Sequence, residues 1–309
     1  MELLTSASKA KDCFPRDDAM ANGIIIVDKP AGWTSQDVTA KLRGVFHERR
    51  IGHGGTLDPM ATGVLPVFVG RATRAVPYFE SAEKEYIAGL RLGLVTNTQD
   101  TTGQTLEEHP VSVTKEQLAQ VLTRFTGPQQ QIPPMFSAVK IGGKKLYELA
   151  RKGKEIERQP RSIEILELEL LDGADADWTI RVKCSKGTYV RTLCHDIGAA
   201  LGCGGCMSSL RRSQAGMFPI AQATQLADIV AHPDPESLLL PTDSLFASYP
   251  AVTVNARQEQ LCRNGAAFTL RGMPEGFVRV YNQDGEFLML GKNRDGKLAT
   301  EKSFFEVNT

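Results

Sequence analysis

The 309-residue chain carries 36 basic and 36 acidic side chains, so its formal net charge is zero, and 41% of its residues are hydrophobic. This composition is close to the average for soluble globular proteins and excludes a disordered or fibrous chain. The longest apolar runs, at 23–27 and 63–69, are far shorter than the roughly 20 residues that cross a bilayer, so we expect buried strands and no membrane partner.

The first 21 residues carry mixed charges and lack the apolar core of a signal peptide. We therefore expect an N-terminal extension (1–21) and a cytoplasmic location. The six cysteines are scattered and predict reduced thiols rather than a disulfide framework. Cys203 and Cys206 have metal or redox spacing, but no second such pair accompanies them. A glycine-rich turn with two small apolar side chains is favoured over zinc, and no metal is expected.

The pattern of apolar residues predicts strands interspersed with helices. In chain order we predict a strand at 23–27, a helix at 35–46, strands at 64–69 and 84–92, and a helix at 114–125. Two segments then alternate in hydrophobicity, at 162–170 and 178–184, and predict an antiparallel hairpin. After Gly187, apolar residues at helical spacing predict another helix, which contains Arg191 near its start. We therefore expect an α+β fold with a mixed, largely antiparallel sheet flanked by helices.

The C-terminal part of the chain has a different pattern. Residues 226–248 contain three prolines and predict a connector. Beyond Tyr249, short alternating segments are separated by Asn-Gly, Asp-Gly and Arg-Gly turns. The sequence therefore predicts a main domain at 22–248 and a small β-rich domain at 249–309.

The charges are distributed unevenly although they sum to zero. Residues 134–161, called the basic arm below, hold eight Lys or Arg against three Glu, whereas 163–177 hold six acids and no base. Charge alone favours a solvated face, but a phosphate-binding surface is the alternative.

Asp58 ends the sequence Gly-His-Gly-Gly-Thr-Leu-Asp and precedes Pro59. Asp followed by Pro is a common helix start, in which the carboxylate caps free N–H groups, and this interpretation is favoured for Asp58 alone. The glycines before it would let the backbone approach a ligand closely, and His53 adds a hydrogen-bonding ring. These neighbours favour a chemical role.

Arg191 lies in the first turn of its predicted helix, where the macrodipole disfavours a cation. A nearby anion would resolve this conflict, and Asp58 is a candidate. An arginine beside it would keep the carboxylate ionised, and an ionised carboxylate can act as a nucleophile. The alternative is that Arg191 reaches solvent.

The segment 52–66, followed by Gly-x-Ala-Thr-Arg at 70–74, closely resembles the catalytic motif of the TruB family of tRNA pseudouridine synthases. Other blocks of that family follow in the same order, at 28–35, 84–86, 131–140, 185–192 and 210–212. So many blocks in order make coincidence improbable. The resemblance covers roughly 22–212 and implies the pseudouridine synthase fold.

The resemblance also implies the roles of individual residues. It makes Asp58 the nucleophile, Tyr86 the residue that packs against the target uracil, Arg191 the partner of Asp58, Leu210 an apolar surface under the base, and His53 a residue that holds the RNA loop open. From the strand pattern alone, Tyr86 and Leu210 would be ordinary core residues. Lys29, Arg74 and Tyr189 lie in matched blocks and are further candidates for substrate binding.

In this family the segment that resembles 140–161 is an insertion that closes over RNA, so Lys140, Lys144 and Lys145 become expected phosphate contacts. The C-terminal domain would correspond by position to the family's PUA-like RNA-binding domain, although its residues match weakly.

The expected reaction converts uridine to pseudouridine at position 55, in the T-arm loop of tRNA. It needs no cofactor, because no group is gained or lost. The first step remains open between attack on the sugar C1′, attack on C6 of the ring, and elimination. The target base must leave its stack to reach Asp58.

We expect a monomer that acts without guide RNA, since the guide-dependent relatives lack the basic insertion. A second alternative is an RNA-binding protein with an idle site, which the presence of Asp58, Tyr86 and Arg191 disfavours.

Overall fold

The computed structural model describes residues 21–270 and 272–306. All of the expected N-terminal extension except Ala21 lies outside the described residues. The strands up to residue 225 are β1 (Gly23–Lys29), β2 (Ile51–His53), β3 (Thr62–Val69), β4 (Lys84–Leu92), β5 (Leu94–Thr96), β6 (Thr105–Glu108), β7 (Gly127–Gln131), β8 (Lys140–Ile141), β9 (Lys144–Lys145), β10 (Arg161–Ala174), β11 (Asp177–Cys184), β12 (Gly205–Ala215), β13 (Phe218–Pro219) and β14 (Thr224–Gln225).

Six α-helices accompany these strands. They are α1 (Ser35–Val45), α2 (Val76–Phe79), α3 (Lys115–Leu122), α4 (Leu146–Ala150), α5 (Val190–Ala200) and α6 (Leu226–Ala231). Shorter 3₁₀ helices occupy 70–75, 123–125, 220–222, 235–238 and 242–246. None of the helices described is long and apolar enough to span a membrane.

Ten strands form one sheet in the order β14-β1-β3-β12-β4-β11-β10-β7, with β2 paired to β3 and β13 paired to β12. Only the β1–β14 and β3–β12 pairs are parallel. The predicted α+β fold with a largely antiparallel sheet is therefore confirmed, and so is the hairpin, which is β10–β11. Strands β5–β6 and β8–β9 form two separate ribbons.

Capping residues fix where the early helices begin. Thr34 caps α1 and Thr114 caps α3, each in a capping box with the residue three positions on. The predicted helix at 114–125 ends as an α-helix at Leu122 and continues as a 3₁₀ turn. Helices α1, α3, α5 and α6 bury their apolar faces against one face of the large sheet.

The C-terminal part is β-rich, as predicted. It comprises β15 (Ala251–Thr253), α7 (Ala256–Arg263), β16 (Phe268–Thr269), β17 (Gly276–Tyr281), β18 (Phe287–Arg294) and β19 (Lys297–Ser303). These strands form a five-stranded sheet in the order β15-β17-β18-β19-β16. Phe304 and Leu290 share a core cluster with Phe79 and Phe218 on the opposite face of the large sheet. The segment expected to be a connector contains α6, because Leu226 and Ile229 pack into the main core.

Candidate active site

Asp58 lies in the loop between β2 and β3, and no helix begins there. The chain turns instead, with the Ala61 N–H donating to the Asp58 carbonyl at 3.0 Å, and β3 starts at Thr62. The helix-cap interpretation of Asp58 is therefore wrong. The loop is anchored to α1, because the Leu57 N–H donates to Ser35 Oγ at 2.9 Å. Gly54 is required for this path, since a Cβ there would lie 2.5 Å from the Phe79 ring.

Arg191 reaches Asp58 from the first turn of α5. Its Nε lies 2.9 Å from Asp58 Oδ2, and its side chain is 6% exposed whereas that of Asp58 is 36% exposed. The remaining nitrogens donate to two backbone carbonyls, Nη1 to Thr98 at 3.0 Å and Nη2 to Phe136 at 2.8 Å. A buried guanidinium with three fixed partners holds the carboxylate at one position while leaving it open to solvent.

A second carboxylate, Asp100, also lies near the Arg191 guanidinium and was not predicted from the sequence. Its Oδ2 is 3.8 Å from Arg191 Nε, and its side chain is 8% exposed. Thr98 Oγ1 and the Thr102 N–H donate to its Oδ1 at 2.9 and 3.0 Å. In sequence, Asp100 stands in a polar turn-like stretch between two strands, and nothing local distinguishes it from a turn residue.

Tyr86 and Leu210 lie on neighbouring strands at the centre of the sheet. Tyr86 is half-buried at the edge of the main core, and Leu210, 9% exposed, pairs with Ala88 in the β12–β4 register. Burial raises the pKa of Tyr86, while the charge of Arg212 and its hydrogen bond to the phenol oppose that shift.

Arg212 is a second residue that the sequence analysis did not single out. It lies directly opposite Tyr86 in the antiparallel register and is 1% exposed. Its Nε donates to the Val64 carbonyl at 2.6 Å and its Nη2 to the Gly55 carbonyl at 3.1 Å. It therefore joins β12 to both sides of the loop that carries Asp58. The neighbouring Arg211 points the other way and pairs with Asp28 at 2.8 Å.

Lys29 supports the Asp58 loop and does not face solvent. Its side chain is fully buried, and Nζ donates to the carbonyls of Trp33 at 2.6 Å, Pro30 at 2.8 Å and Pro59 at 3.4 Å. Burial lowers the pKa of Lys29 to about 8, and the charge of Asp58 opposes that shift. The structure corrects the expected direct contact with substrate, because no surface of this side chain is available to a phosphate.

The three other candidate substrate contacts lie in different settings. Arg74 Nη1 donates to the Ser303 carbonyl at 3.0 Å, which ties the 3₁₀ helix at 70–75 to the end of β19. Tyr189 precedes α5 and exchanges two backbone hydrogen bonds with the Gln131 side chain, at 2.8 and 3.1 Å. His53 ends β2; its Nε2 lies 3.3 Å from Gln36 Nε2, its Nδ1 is buried without a partner, and burial lowers its pKa.

Most cations of the basic arm are exposed to solvent. Lys140 and Lys144 are exposed on the β8–β9 ribbon, and Lys145 stacks at 5.5 Å on the Tyr147 ring. Among the residues described, Arg158 is the one arm cation in an ion pair, with Glu155 at 2.9 Å. The arm begins beside the Phe136 carbonyl that Arg191 binds, so one guanidinium connects it to Asp58.

The cysteines in the described part of the chain are buried thiols. Cys203 lies in the turn before β12 and Cys206 within β12, and burial raises the pKa of Cys206 to about 11. The five cysteines described are free. Within 21–270 and 272–306, no group of three or more His, Cys, Asp or Glu side chains is arranged to hold a metal ion.

Comparison with known proteins places this arrangement in a family. A sequence model of the N-terminal domain of TruB family pseudouridylate synthases matches residues 43–190, and one of the tRNA pseudouridylate synthase B C-terminal domain matches 191–247. The tRNA pseudouridine synthase B of Azoarcus sp. is 42% identical over 285 residues, covering 92% of this chain and 95% of that protein. The one of Syntrophomonas wolfei is 44% identical over 281 residues, covering 88% and 93%.

Solved structures agree with the sequence relatives. A chain in an H/ACA ribonucleoprotein bound to a substrate RNA containing 2′-deoxyuridine is 26% identical, with a TM-score of 0.70, and the match covers 93% of this chain and 86% of that one. A chain in a Cbf5-Nop10-Gar1 complex is 29% identical with the same TM-score and the same coverage. The protein has the pseudouridine synthase fold, and the chain therefore belongs to the TruB family of tRNA pseudouridine synthases, enzymes that isomerise uridine to pseudouridine in tRNA.

Proposed function

We propose that this protein acts alone, without guide RNA, on the uridine at position 55 in the T-arm loop of tRNA, with Asp58 as the nucleophile. The observation that carries the proposal is the Asp58 carboxylate, open to solvent at 36% and held at 2.9 Å by a buried guanidinium. A fixed, charged and accessible carboxylate suits nucleophilic attack better than it suits packing.

The reaction breaks the N1–C1′ glycosidic bond and forms a C5–C1′ bond. The proton lost from C5 is matched by one gained at N1, so the product is an isomer. Attack of Asp58 on C1′, attack on C6 of the ring, and elimination from the sugar all begin with the same carboxylate. Arg191 stabilises that charge through an ion pair and keeps Oδ2 in place.

The target uridine leaves its stack to reach Asp58, which costs a few kcal/mol. The Tyr86 ring offers a stacking surface, and such stacking is worth about 1 to 3 kcal/mol per base. Leu210 lies two residue pairs away on the adjacent strand and supplies apolar surface under the base. His53, at the end of β2, would hold the RNA loop open.

The basic arm is the proposed phosphate clamp. Seven of its eight cations form no ion pair with described residues, so they are free to meet the RNA backbone. This surplus of unpaired positive charge supports tRNA binding by the protein alone. The C-terminal domain (249–309), proposed to be PUA-like, would add RNA contacts at the tip of the β18–β19 hairpin, where Arg294 and Lys297 are exposed.

The test is to incubate the purified protein with an unmodified tRNA transcript and to map pseudouridine by chemical labelling and primer extension. A transcript with cytidine at position 55 is the control. We expect product at that position with no other RNA present. Product that requires an added guide RNA, or RNA binding without any product, would contradict the proposal.

A further inference from the structure

The strongest feature outside the assigned machinery is the environment of Arg212. This side chain is among the largest fully buried ones, and its bonds from Nε and Nη2 go to the backbone carbonyls of Val64 and Gly55. Within the described part of the chain it forms no ion pair with a carboxylate. A buried charge is costly unless it is compensated, so a buried arginine that has only dipoles as partners requires an explanation.

Other basic side chains near Arg212 add further positive charge to this part of the interior. Lys84 and Lys29 are both buried, and burial, with the charge of Arg212 as a further cause, lowers the pKa of each to about 8. The same two causes lower the pKa of His53. The interior beside the Asp58 loop is therefore positive, and it favours an anion on any group that faces it.

Tyr86 is that group. It lies directly opposite Arg212 in the register of the adjacent antiparallel strand. Two other groups affect the phenol, Cys184 from β11 and Asp58 from the loop, and both disfavour its anion. Arg212 is the group that acts in the opposite direction, through its charge and through a hydrogen bond.

We propose that Arg212 is a positioning residue for the isomerisation, fixing the Tyr86 hydroxyl against the Asp58 loop and stabilising the phenolate form of Tyr86 while that oxygen takes a proton from the substrate. This inference rests on the proposed function. Arg212 is almost completely buried, so it acts through Tyr86 rather than on the RNA.

The step is balanced without any further reactant. The phenolate oxygen forms an O–H bond as the carbon–hydrogen bond breaks, and the C–H electron pair stays in the substrate. The proton is returned to the ring at N1. Arg212 keeps its own proton throughout, because a guanidinium does not titrate in this range.

Two substitutions separate charge from geometry. Arg212→Gln keeps a hydrogen-bond donor but removes the charge, whereas Arg212→Lys keeps a charge but loses the planar set of donors. Arg211→Gln is the matched control, because it removes a neighbouring, more exposed arginine whose ion-pair partner is the half-buried Asp28. Single-turnover rates would be measured from about pH 6 to about pH 9.5, together with RNA affinity and thermal unfolding.

We expect Arg212→Gln to slow the reaction by roughly 10- to 100-fold near neutral pH, with RNA affinity nearly unchanged. The pH at which its rate levels off should be about one unit higher than in the parent. A shift of one unit corresponds to a tenfold change in the fraction of phenolate at a given pH. The rate and pH profile of Arg212→Lys should fall between those of the parent and of Arg212→Gln. Those of Arg211→Gln should match the parent. A uniform loss of rate without any displacement of the profile would overturn the inference.

Titration of Tyr86 gives a second measurement that needs neither the Gln variant nor activity. The tyrosinate absorbance that is lost on Tyr86→Phe would be compared in the parent and in Arg212→Lys. We expect Tyr86 to ionise at higher pH in Arg212→Lys, by about half a unit or more. An unchanged titration would overturn the inference. Failure of the proposed function would appear differently, as a parent protein that makes no pseudouridine.

Discussion

The Arg191 Nε atom lies 2.9 Å from Asp58 Oδ2, and the same guanidinium donates to the Phe136 carbonyl, 2.8 Å away, where the basic arm begins. One side chain therefore holds the proposed nucleophile and the base of the proposed RNA clamp. Asp58 and the start of the basic arm are held in a fixed relative position, because each nitrogen of the buried Arg191 side chain has a defined partner.

Replacing Arg191 by Lys should damage both activity and stability. Lysine keeps the charge but leaves the carbonyls of Thr98 and Phe136 without donors. We expect a loss of about 1 to 3 kcal/mol in the free energy of unfolding for unsatisfied buried groups, and a single-turnover rate reduced at least about tenfold. Thermal unfolding and rapid-quench assays measure these effects. Arg91→Lys, which alters an exposed ion pair, is the control. Parental stability and rate in Arg191→Lys would contradict this role.

Asp100→Asn tests the second carboxylate. The amide preserves shape and can still accept from Thr98 and Thr102, but it removes the negative charge 3.8 Å from Arg191. Without it, the guanidinium is less firmly oriented toward Asp58, so we expect turnover to fall by roughly tenfold or more while RNA affinity is retained. The exposed Asp177→Asn serves for comparison. If both variants turn over at the parental rate, Asp100 is only a loop-forming residue.

The basic arm should control the salt dependence of binding. Neutralising Lys144, Lys145 and Lys152 together should weaken tRNA binding and lower the slope of log affinity against log salt by somewhat under one unit for each lost phosphate contact. Binding titrations at several salt concentrations provide this slope. Lys115→Gln, an exposed lysine at the start of α3, controls for net charge. A slope that does not change would mean that the arm is merely a solvated face.

The elements of the sheet were largely predictable, because period-2 alternation and long apolar runs mark strands such as β4, β10 and β11 directly. The ion pair of Asp58 and Arg191 was also anticipated, from a cation at a helix start that needed an anion. The helix start suggested by Asp58 and Pro59 does not form, because the chain turns at Ala61 and enters β3.

Other parts of the site depend on contacts between distant segments. Asp100 and Arg212 reach the centre only when the loop after β5 and strand β12 fold beside the Asp58 loop, and no local pattern encodes that approach. Lys29 lies in a matched block, but its burial under three backbone carbonyls is a property of the folded loops. Sequence reasoning identified the chemical groups more readily than the residues that orient them.

Tyr86→Phe separates two roles of one side chain. If the ring only stacks on uracil, phenylalanine preserves it and the rate stays within a few-fold. If the phenol takes a proton, its loss should slow the chemical step by roughly 10²- to 10⁴-fold. We expect the second result, because Arg191 is permanently protonated and Asp58 is engaged with the substrate. A near-parental single-turnover rate with normal tRNA binding would show that another group accepts the proton.

The most direct test of the central claim is the single-turnover formation of pseudouridine at position 55 by Asp58→Asn, measured beside its affinity for the same tRNA. The amide keeps the shape of the carboxylate and a hydrogen-bond acceptor for Arg191, but it cannot act as a nucleophile. We predict tRNA affinity close to that of the parent and no detectable product. Asp58→Asn protein that binds tRNA normally and still forms pseudouridine at a substantial rate would contradict the assignment of Asp58.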